Sequence, residues 1–460
     1  MPEGLSRWLA RRSLRKKTNQ TTRVLTAFFL LTILLGTVLL MLPAASKGGE
    51  SCGLMTASFT ATSTVCVTGL SLTDSYTQWS PFGQAVLLLL IQIGGLGYMT
   101  IISVFFFLLR RKIGLRERLI LQQSMALNEL DGVVQLLKLV LSGTFLIEGI
   151  GALILTIRFS GRLPFGTALW YGVFHAVSAY CNAGFDLMGR FSPGSSLTLF
   201  AEDPTVNITV MLLIVLGGLG FFVWNDLLIH RFRWRRLSVH TKLVLIMSAI
   251  LVFGGALILL PLEWGNPATL GPMSPGKKLL AALFQSVTTR TAGFFAVDQG
   301  GLTGSGKLVS VLLMLVGGSS GSTAGGVKTV TVALLFLMAF RVLRNHREIE
   351  VFGRRIPQEQ VNNACAIVLL VTLLALTGGV ILSATNALPL SDALYEAMSA
   401  ICTVGLSTGI TPELNTGSKL LLMLYMFFGR VGVMTISFAF MTKSPPDNTI
   451  THPETRVLVG

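Results

Sequence analysis

The chain has 460 residues, of which 52% are hydrophobic and 12% are charged, with a formal net charge of +15 at pH 7. Soluble domains carry about 25% charged residues, so this composition excludes an ordinary soluble protein and indicates a chain that lies mostly within a lipid bilayer. The positive charge does not indicate nucleic-acid binding, because the basic residues cluster in short runs between apolar segments while alternate loops carry acids. This is the positive-inside pattern, and it predicts that both termini lie in the cytoplasm of a bacterial-type cell.

Apolar runs recur along the whole chain, and eight of them approach the length of about 20 residues that a helix needs to cross the bilayer. They occupy residues 24–41, 82–109, 136–157, 206–229, 243–262, 308–340, 364–388 and 420–441, and the sixth is interrupted in its middle. The basic N-terminus followed by the first run resembles a secretory signal. Because that run is long for a signal and many others follow, we interpret it as an uncleaved first helix.

A shorter semi-apolar segment lies inside each successive pair of runs, at residues 54–65, 168–180, 278–288 and 392–401. Each has only about half the length needed to cross the bilayer, and each is followed by a short turn that ends in glycine. The four turns are Cys66, Val67, Thr68, Gly69; Cys181, Asn182, Ala183, Gly184; Arg290, Thr291, Ala292, Gly293; and Cys402, Thr403, Val404, Gly405. The near-equal spacing of these glycines indicates an internal repeat.

A second glycine pattern follows each turn and supports the repeat. The segment 93–101 matches the segment 428–436, and similar glycines occur at 217–220 and 317–321. We therefore predict an all-α membrane protein of eight transmembrane helices, with four tandem helix–pore-helix–filter–helix (MPM) repeats in a pseudo-fourfold arrangement around one pore. The predicted repeats are 24–118, 119–236, 237–355 and 356–443, between a cytoplasmic basic N-terminal tail (1–23) and a C-terminal tail (444–460).

Four re-entrant turns around one axis favour cation conduction. Irregular backbone at membrane depth is tolerated where it lines a water-filled cavity, and the C-terminus of a half-helix carries partial negative charge. Glycine at the end of each turn permits positive φ, so that carbonyl groups can face the axis and replace the hydration shell of a cation. No carboxylate lies within any turn, which favours K⁺ over a divalent cation.

The segments around the four glycines resemble the four filters of the Trk/Ktr/HKT superfamily of K⁺ transporters. The matching stretches are 64–70, 182–185, 289–294 and 403–407, and the resemblance extends over nearly the whole chain. The eight-helix form is similar to KtrB, the membrane subunit of Ktr systems. The resemblance implies potassium uptake across the cytoplasmic membrane with K⁺ in the filter, and it associates glycine at position 69 with K⁺ and serine there with Na⁺. A Na⁺-permeable or TrkH-type cation transporter of the same superfamily is the alternative.

A segment of small, glycine-rich residues interrupts the sixth apolar run. Such a sequence is a poor helix former, which indicates a mobile loop under the filter or a passive kink. The resemblance implies that this segment is the intramembrane gate and that Arg430 lies beside the pore below the filter; a salt bridge between repeats is the alternative for Arg430. The predicted gate residues are Gly317, Gly318, Ser319, Ser320, Gly321, Ser322, Thr323, Ala324, Gly325, Gly326, Lys328 and Arg430.

Other polar residues within the apolar runs have more ordinary interpretations. Glu148 is expected to pair with a backbone amide of a neighbouring half-helix or to lie in a water pocket, and Lys328 to contact headgroups or loop carbonyls. Arg290 is expected to point away from the ion and brace its turn. Cysteines at the same position of three turns raise a soft-metal thiolate site as an alternative, but the third turn has Arg290 at that position.

Nothing in the sequence spaces a nucleophile beside a base, so the chain is not predicted to be an enzyme and no organic cofactor is expected. An intramembrane enzyme that uses Glu148 and a cysteine, or a receptor scaffold, would leave the fourfold repeat unexplained. The resemblance further implies a homodimer and a separate cytosolic partner, a KtrA-like RCK ring that binds ATP or ADP.

Overall fold

The computed structural model of the protein describes residues 23–24, 26–108, 133–345 and 348–432, and this part is almost entirely helical. The longer elements are α1 (Thr26–Met41), α2 (Leu54–Val65), α3 (Ser75–Gln78), α4 (Pro81–Leu108), α5 (Val133–Phe159), α6 (Phe165–Tyr180), α7 (Pro204–Leu219), α8 (Phe221–Ile229), α9 (Val239–Glu263), α10 (Pro275–Thr288), α11 (Gly304–Met314), α12 (Thr329–Leu343), β1 (Glu350–Val351), β2 (Arg354–Arg355), α13 (Gln358–Asn386), α14 (Leu390–Ile401) and α15 (Thr416–Val431). Single 3₁₀ turns occur at Pro43–Ala45, Met188–Arg190, Thr198–Phe200, Trp234–Arg236 and Thr411–Glu413. The predicted all-α class is confirmed at this level, with β1 and β2 forming one small antiparallel hairpin.

Within the described residues, three helical stretches are long and apolar enough to cross a membrane: Lys138–Phe159, α9 and α13. The bent pair α7 and α8 makes a fourth if it is counted as one span. Shorter apolar helices occur at Thr26–Met41, Pro81–Gly97, Gly304–Met314 and Thr329–Leu343. The predicted count of eight spans therefore stays a prediction, and the predicted tail 444–460, the basic segment 110–118 and nearly all of the tail 1–23 lie outside the described residues.

The second spans of the first three predicted repeats are not single straight helices, although the apolar runs read as continuous in the first two. Gly97 (φ 75°, ψ 164°) breaks α4, and Gly220 (φ 94°, ψ 144°) separates α7 from α8 at an angle of 89°. Gly432, with φ of 94°, follows the end of α15. Only glycine adopts these backbone angles at little cost, so the helix breaks or ends at the glycine three positions after the first glycine of the pattern in the first, second and fourth repeats.

The four half-length helices α2, α6, α10 and α14 lie in the interior, while longer helices surround them. The last turns of α2 and α14 are fully buried from Phe59 and Tyr395 onward. The outer helices instead expose leucines, such as Leu31 at 66% and Leu257 at 73%. This inverted arrangement, with apolar side chains outside and half-helices inside, suits a bilayer as solvent.

Candidate functional site

The four half-helices end at Val65, Tyr180, Thr288 and Ile401, the residues at which the sequence predicts their ends. The turn that follows each one has the same backbone conformation. One non-glycine residue is left-handed, with φ between 52° and 64°, and the glycine two positions later has φ between 73° and 103°. The non-glycine members are Val67, Asn182, Thr291 and Thr403. A left-handed conformation at bulky residues costs energy, and its recurrence at four equivalent places marks a functional constraint.

The four turns contact one another in a closed ring, which we call the glycine ring. Each ring glycine abuts the carbonyl group that precedes the ring glycine of the next turn. A Cβ added to Gly69 would lie 2.7 Å from the Ala183 oxygen, one on Gly184 2.9 Å from the Ala292 oxygen, one on Gly293 2.9 Å from the Val404 oxygen, and one on Gly405 would collide with the Thr68 oxygen. Any side chain at these positions would therefore enter the space between carbonyl oxygens.

Each turn is held by a buried hydroxyl residue of its own half-helix, a feature that sequence reasoning missed. The amides of Gly69 and Gly405 donate to the hydroxyls of Ser63 and Ser399 at 3.1 and 3.0 Å. In the other two turns, the hydroxyls of Ser178 and Thr288 donate to the carbonyls of Phe185 and Phe294. The available signal was a serine six positions before the glycine in three of the four repeats.

The second glycine pattern has a packing explanation in the structure. A Cβ at Gly94, Gly217 or Gly429 would collide with the carbonyl oxygen of the last residue of a half-helix, which is Val65, Tyr180 or Ile401 respectively. These glycines let the second span approach the negative end of the half-helix. The third repeat differs, because Gly317 faces the carbonyl of Gly325 instead.

A cavity of about 280 Å³ opens on the other side of the glycine ring from this pattern and is lined by all four ring glycines together with Asp74 and Asp186. Burial raises the pKa of Asp186 to about 7, against the opposing effect of the Met188 amide that donates to it, and the nearby Asp74 carboxylate also raises this pKa. Asp74 accepts from the amides of Tyr76 and Gly194 at 3.0 Å. Two carboxylates beside the ring make the mouth attractive to cations.

The glycine-rich loop (317–326) joins α11 to α12 and packs against two of the turns and the end of α6. Two hydrogen bonds hold the ends of the loop together. The Gly317 amide donates to the Val327 carbonyl at 2.9 Å, and the Thr329 amide donates to the Gly318 carbonyl at 3.1 Å. The Thr323 hydroxyl donates to the carbonyl of Tyr180 at 2.9 Å, at the end of α6. Positions 317, 325 and 326 lie against Thr291, Thr403 and Cys402.

The loop is also held by groups from other repeats. The Ser319 and Thr323 amides donate to the carbonyls of Gly218 and Gly217, and the Phe221 amide donates to the Gly321 carbonyl at 2.8 Å. Ser320 and Gly321 lie against Gly220, the residue that separates α7 from α8. The loop is therefore docked on the broken second span of the second repeat.

Two positively charged side chains, Arg430 and Lys328, donate hydrogen bonds to the glycine-rich loop. The Arg430 guanidinium donates to the carbonyls of Thr323, Gly94 and Gly95, so that one side chain joins α15, the loop and α4. No carboxylate pairs with Arg430 among the described residues, which leaves the salt-bridge alternative without support there. Lys328 donates to the loop carbonyls of Ala324 and Gly325 at 2.8 and 3.5 Å, the second of its two predicted contacts.

The remaining candidates lie behind the turns. Glu148 does not pair with a backbone amide: the Gln92 amide group donates to both of its oxygens at 3.2 Å, and the Cys181 thiol lies beside them. Gln92 lies on α4, two residues before Gly94, which packs against the end of α2. The sequence alone did not reveal this pairing. The Arg290 guanidinium donates to Ser248 on α9 at 3.2 Å and points away from the ring. Among the described residues, no group of three metal-ligating side chains occurs, and Cys66, Cys181 and Cys402 are buried free thiols.

The apolar outer helices around buried half-helices define a multi-pass membrane protein, and the family that matches it is one of ion transporters and not of enzymes. The family described as "Cation transport protein", TrkH, matches residues 1–451. The chain belongs to this TrkH family.

Relatives of established name agree with this assignment. The potassium/sodium uptake protein NtpJ of Enterococcus hirae is 36% identical over 98% of this chain and 100% of its own length. The Ktr system potassium uptake protein B of Bacillus subtilis is 38% identical over 95% of this chain and 96% of its own. The crystal structure of the potassium transporter TrkH from Vibrio parahaemolyticus superposes with a TM-score of 0.72, covering 92% of this chain and 85% of that one, at 17% identity.

Proposed function

We propose that the protein takes up potassium across the cytoplasmic membrane, through a selectivity filter made by four repeats in pseudo-fourfold arrangement around one pore. The single observation that carries this proposal is the glycine ring, in which a carbonyl of each turn abuts the next ring glycine. Rings of backbone carbonyls replace the hydration shell of a monovalent cation without formal charge. The filter residues are then positions 66–69, 181–184, 290–293 and 402–405, with bound K⁺ as the cargo.

The choice of K⁺ rests on the ring and on the relatives. All four ring positions are glycine, which the family resemblance associates with K⁺. The Bacillus subtilis relative is a potassium uptake protein, whereas the Enterococcus hirae relative is a potassium/sodium uptake protein. Na⁺ permeation is therefore the second candidate.

The glycine-rich loop is proposed as the gate. It contacts two of the filter turns and the end of α6, and the Arg430 guanidinium donates hydrogen bonds to both the loop and α4. In this position the loop and the positive charge of Arg430 both oppose passage of a cation. Opening then requires the loop to break the hydrogen bonds that Ser319 and Thr323 donate to the carbonyls of Gly217, Gly218 and Tyr180.

The similarity to a Ktr system protein supports a separate cytosolic regulatory subunit. We further propose that this subunit binds ATP or ADP and that the membrane chain forms a homodimer. Both termini are proposed to lie in the cytoplasm, in keeping with the positive-inside pattern. The glycine ring is formed by the four turns of a single chain, which allows this chain to be tested alone.

The test is a flux measurement on the purified chain in liposomes, comparing K⁺ with Na⁺ for the wild type and for Gly69→Ser. The added side chain would enter the carbonyl ring, so we expect K⁺ selectivity to fall at least about tenfold, the equivalent of about 1.4 kcal/mol between the two ions. Gly53→Ser is the matched control, because Gly53 also has positive φ (81°) but faces open space.

Equal K⁺ and Na⁺ flux in the wild type would overturn the potassium assignment and leave a less selective cation pathway. A selectivity loss of the same size in Gly53→Ser would attribute the effect to backbone strain and remove the support for the ring. Absence of any flux, even after deletion of the glycine-rich loop, would contradict conduction by this chain.

A further inference from the structure

The segment between α8 and α9 combines positive charge with exposed aromatic rings. We call residues 231–236 the basic–aromatic loop; they are Arg231, Phe232, Arg233, Trp234, Arg235 and Arg236, and all six are exposed. The Phe232 and Trp234 side chains are 66% and 46% exposed. None of the four guanidinium groups has an acidic partner among the residues that the structure describes.

This loop is bordered on both sides by apolar helices. Leu228 and Ile229, at the end of α8, are 49% and 64% exposed, and α9 begins at Val239 and is one of the spans. Because α8 turns by 89° from α7, it runs across the membrane-crossing direction of its partner instead of continuing it. Aromatic and basic side chains next to a span, beside exposed leucine and isoleucine, match the polarity profile of a bilayer surface.

The shape of the loop is fixed by its own hydrogen bonds. The Asp226 carboxylate accepts from the Ser238 amide and hydroxyl at 3.0 and 2.9 Å, and it pairs with His230 at 2.8 Å, so both ends of the loop are held together. Arg231 and Phe232 are both left-handed, with φ of 48° and 59°. A preformed turn displays the guanidinium groups at a lower entropy cost of binding than a flexible segment would.

We propose that the basic–aromatic loop binds the headgroups of anionic phospholipids, and that α8 couples this binding to the glycine-rich loop. Guanidinium groups form paired, charge-assisted hydrogen bonds with phosphate oxygens. Phe232 and Trp234 enter the interfacial layer beside the headgroups, where rings of this kind are enriched. Charge complementarity and the bordering apolar residues select a lipid surface over a soluble acidic protein.

The coupling follows from the other end of α8. This helix has nine residues, so the basic–aromatic loop lies only about 14 Å from the residue that contacts the glycine-rich loop. There the Phe221 amide donates to the Gly321 carbonyl, and the Phe222 ring leaves no room for a side chain at position 321, where a Cβ would lie 2.6 Å from Cε2. Lipid that holds the far end of α8 thus stabilises one position of the glycine-rich loop. This coupling rests on the proposed function, whereas the lipid site does not.

Lipid binding is tested on the purified full-length chain. The variant carries Arg231→Gln, Arg233→Gln, Arg235→Gln and Arg236→Gln, and the matched control carries Arg341→Gln, Arg344→Gln, Arg354→Gln and Arg355→Gln, the same loss of charge around the β1–β2 hairpin. We expect phosphatidylglycerol binding, measured in detergent by native mass spectrometry, to fall at least about tenfold in the first set only. Replacing the first four arginines by lysine keeps the charge but loses the paired hydrogen bonds, so binding should fall by less than in the glutamine variant.

Equal losses in the two sets, or no preference of the wild type for phosphatidylglycerol over phosphatidylcholine, would overturn the lipid site. Inorganic phosphate that displaces the lipid at millimolar concentration would point instead to a small-anion site. Polyglutamate that displaces the lipid and reproduces its effect on flux would assign the loop to an acidic protein and also overturn the proposal.

Flux in liposomes then tests the coupling. Wild-type K⁺ flux should differ at least about threefold between phosphatidylcholine vesicles and vesicles that include phosphatidylglycerol, and the first variant should lose this difference. Phe222→Ala should keep the lipid binding and lose the lipid dependence of flux; a retained dependence would contradict transmission through α8. If no vesicle shows K⁺ flux, the proposed function fails, while the binding measurement still decides the lipid site.

Discussion

The glycine ring and the glycine-rich loop are both irregular backbone between helices, but they are held by different kinds of contact. Each turn of the ring is anchored within its own repeat, for instance by Ser63 to Gly69 and by Ser399 to Gly405. The glycine-rich loop belongs to the third repeat, yet its partners Gly217, Gly218 and Arg430 belong to the second and fourth. Hydrogen bonds within one repeat resist movement of that turn alone. Hydrogen bonds between repeats are lost when the repeats shift relative to one another.

This difference shows how the proposed filter and the proposed gate could act separately although they are in contact. A change that breaks an anchor of the ring should alter ion discrimination, and a change that breaks an anchor of the loop should alter how often the path is open. Four substitutions test this separation, and each one carries a control from the same chain.

Gly405→Ala should have the largest effect, because its Cβ would collide with the Thr68 carbonyl and its φ is 87°. We expect K⁺ flux in liposomes to fall at least about thirtyfold, since about 2 kcal/mol of strain would displace carbonyls of the ring. Gly409→Ala is the control, because Gly409 has a φ of 95° and nothing within 4 Å. Near-normal flux in Gly405→Ala would show that the ring tolerates a side chain.

Arg430→Gln should raise K⁺ flux without changing K⁺ over Na⁺ selectivity. The guanidinium donates to Thr323, Gly94 and Gly95, and hydrogen bonds from a charged donor contribute about 1.5–3 kcal/mol each. Loss of one such contact to the glycine-rich loop corresponds to an increase of about tenfold or more. Lys419→Gln, on the same helix but bonded to Pro412, is the control. A fall in selectivity would place Arg430 in the ring rather than in the gate.

Ser399→Ala should reduce selectivity about fivefold and leave the open fraction unchanged. The substitution removes the acceptor of the Gly405 amide, and a single neutral hydrogen bond contributes about 1 kcal/mol. Ser383→Ala removes a similar hydroxyl contact, to the Leu388 carbonyl, away from the ring. Selectivity would be measured from competing K⁺ and Na⁺ gradients. An effect on flux alone would contradict the proposed separation.

The smallest effect is expected from external pH acting on Asp186. Its pKa is raised to about 7 by burial, so lowering the pH through this value adds a proton and removes negative charge from the mouth of the ring. At limiting K⁺, flux should then fall roughly twofold, because less cation is attracted to the mouth. Asp186→Asn should remove this pH dependence and Asp298→Asn should not. An unchanged profile in Asp186→Asn would assign the titration to another group.

Much of this arrangement is readable from the sequence because glycine is where the backbone is exceptional. The four ring glycines and the ends of the half-helices at Val65, Tyr180, Thr288 and Ile401 lie where the apolar runs and turns predict. Repetition supplied the evidence that a single glycine could not. The packing role of Gly94 and its equivalents depends on approach to a carbonyl in another helix, which no sequence period reveals.

Polar partners in different repeats could not be predicted from the sequence either, because they also depend on which helices meet in space. Glu148 needed a buried donor, but Gln92 lies 56 positions away and is one of several amide side chains. The helix breaks at Gly97 and Gly220 were also missed, because apolar residues continue on both sides of each glycine. Hydropathy measures the preference for lipid, and it does not report the direction of the chain.

The closure of the glycine ring carries a consequence for biosynthesis. The carbonyl of Thr68 meets Gly405, and Arg430 bonds to Gly94 across 336 residues of chain. At about 5–20 residues per second, the ribosome needs roughly 20 to 70 seconds to synthesise the chain between Gly94 in the first repeat and Arg430 in the fourth. During that interval the first turn has no neighbour on one side, and the nascent chain must keep its carbonyls solvated until the last repeat arrives. Closure of the ring thus has to wait until the last repeat has been synthesised.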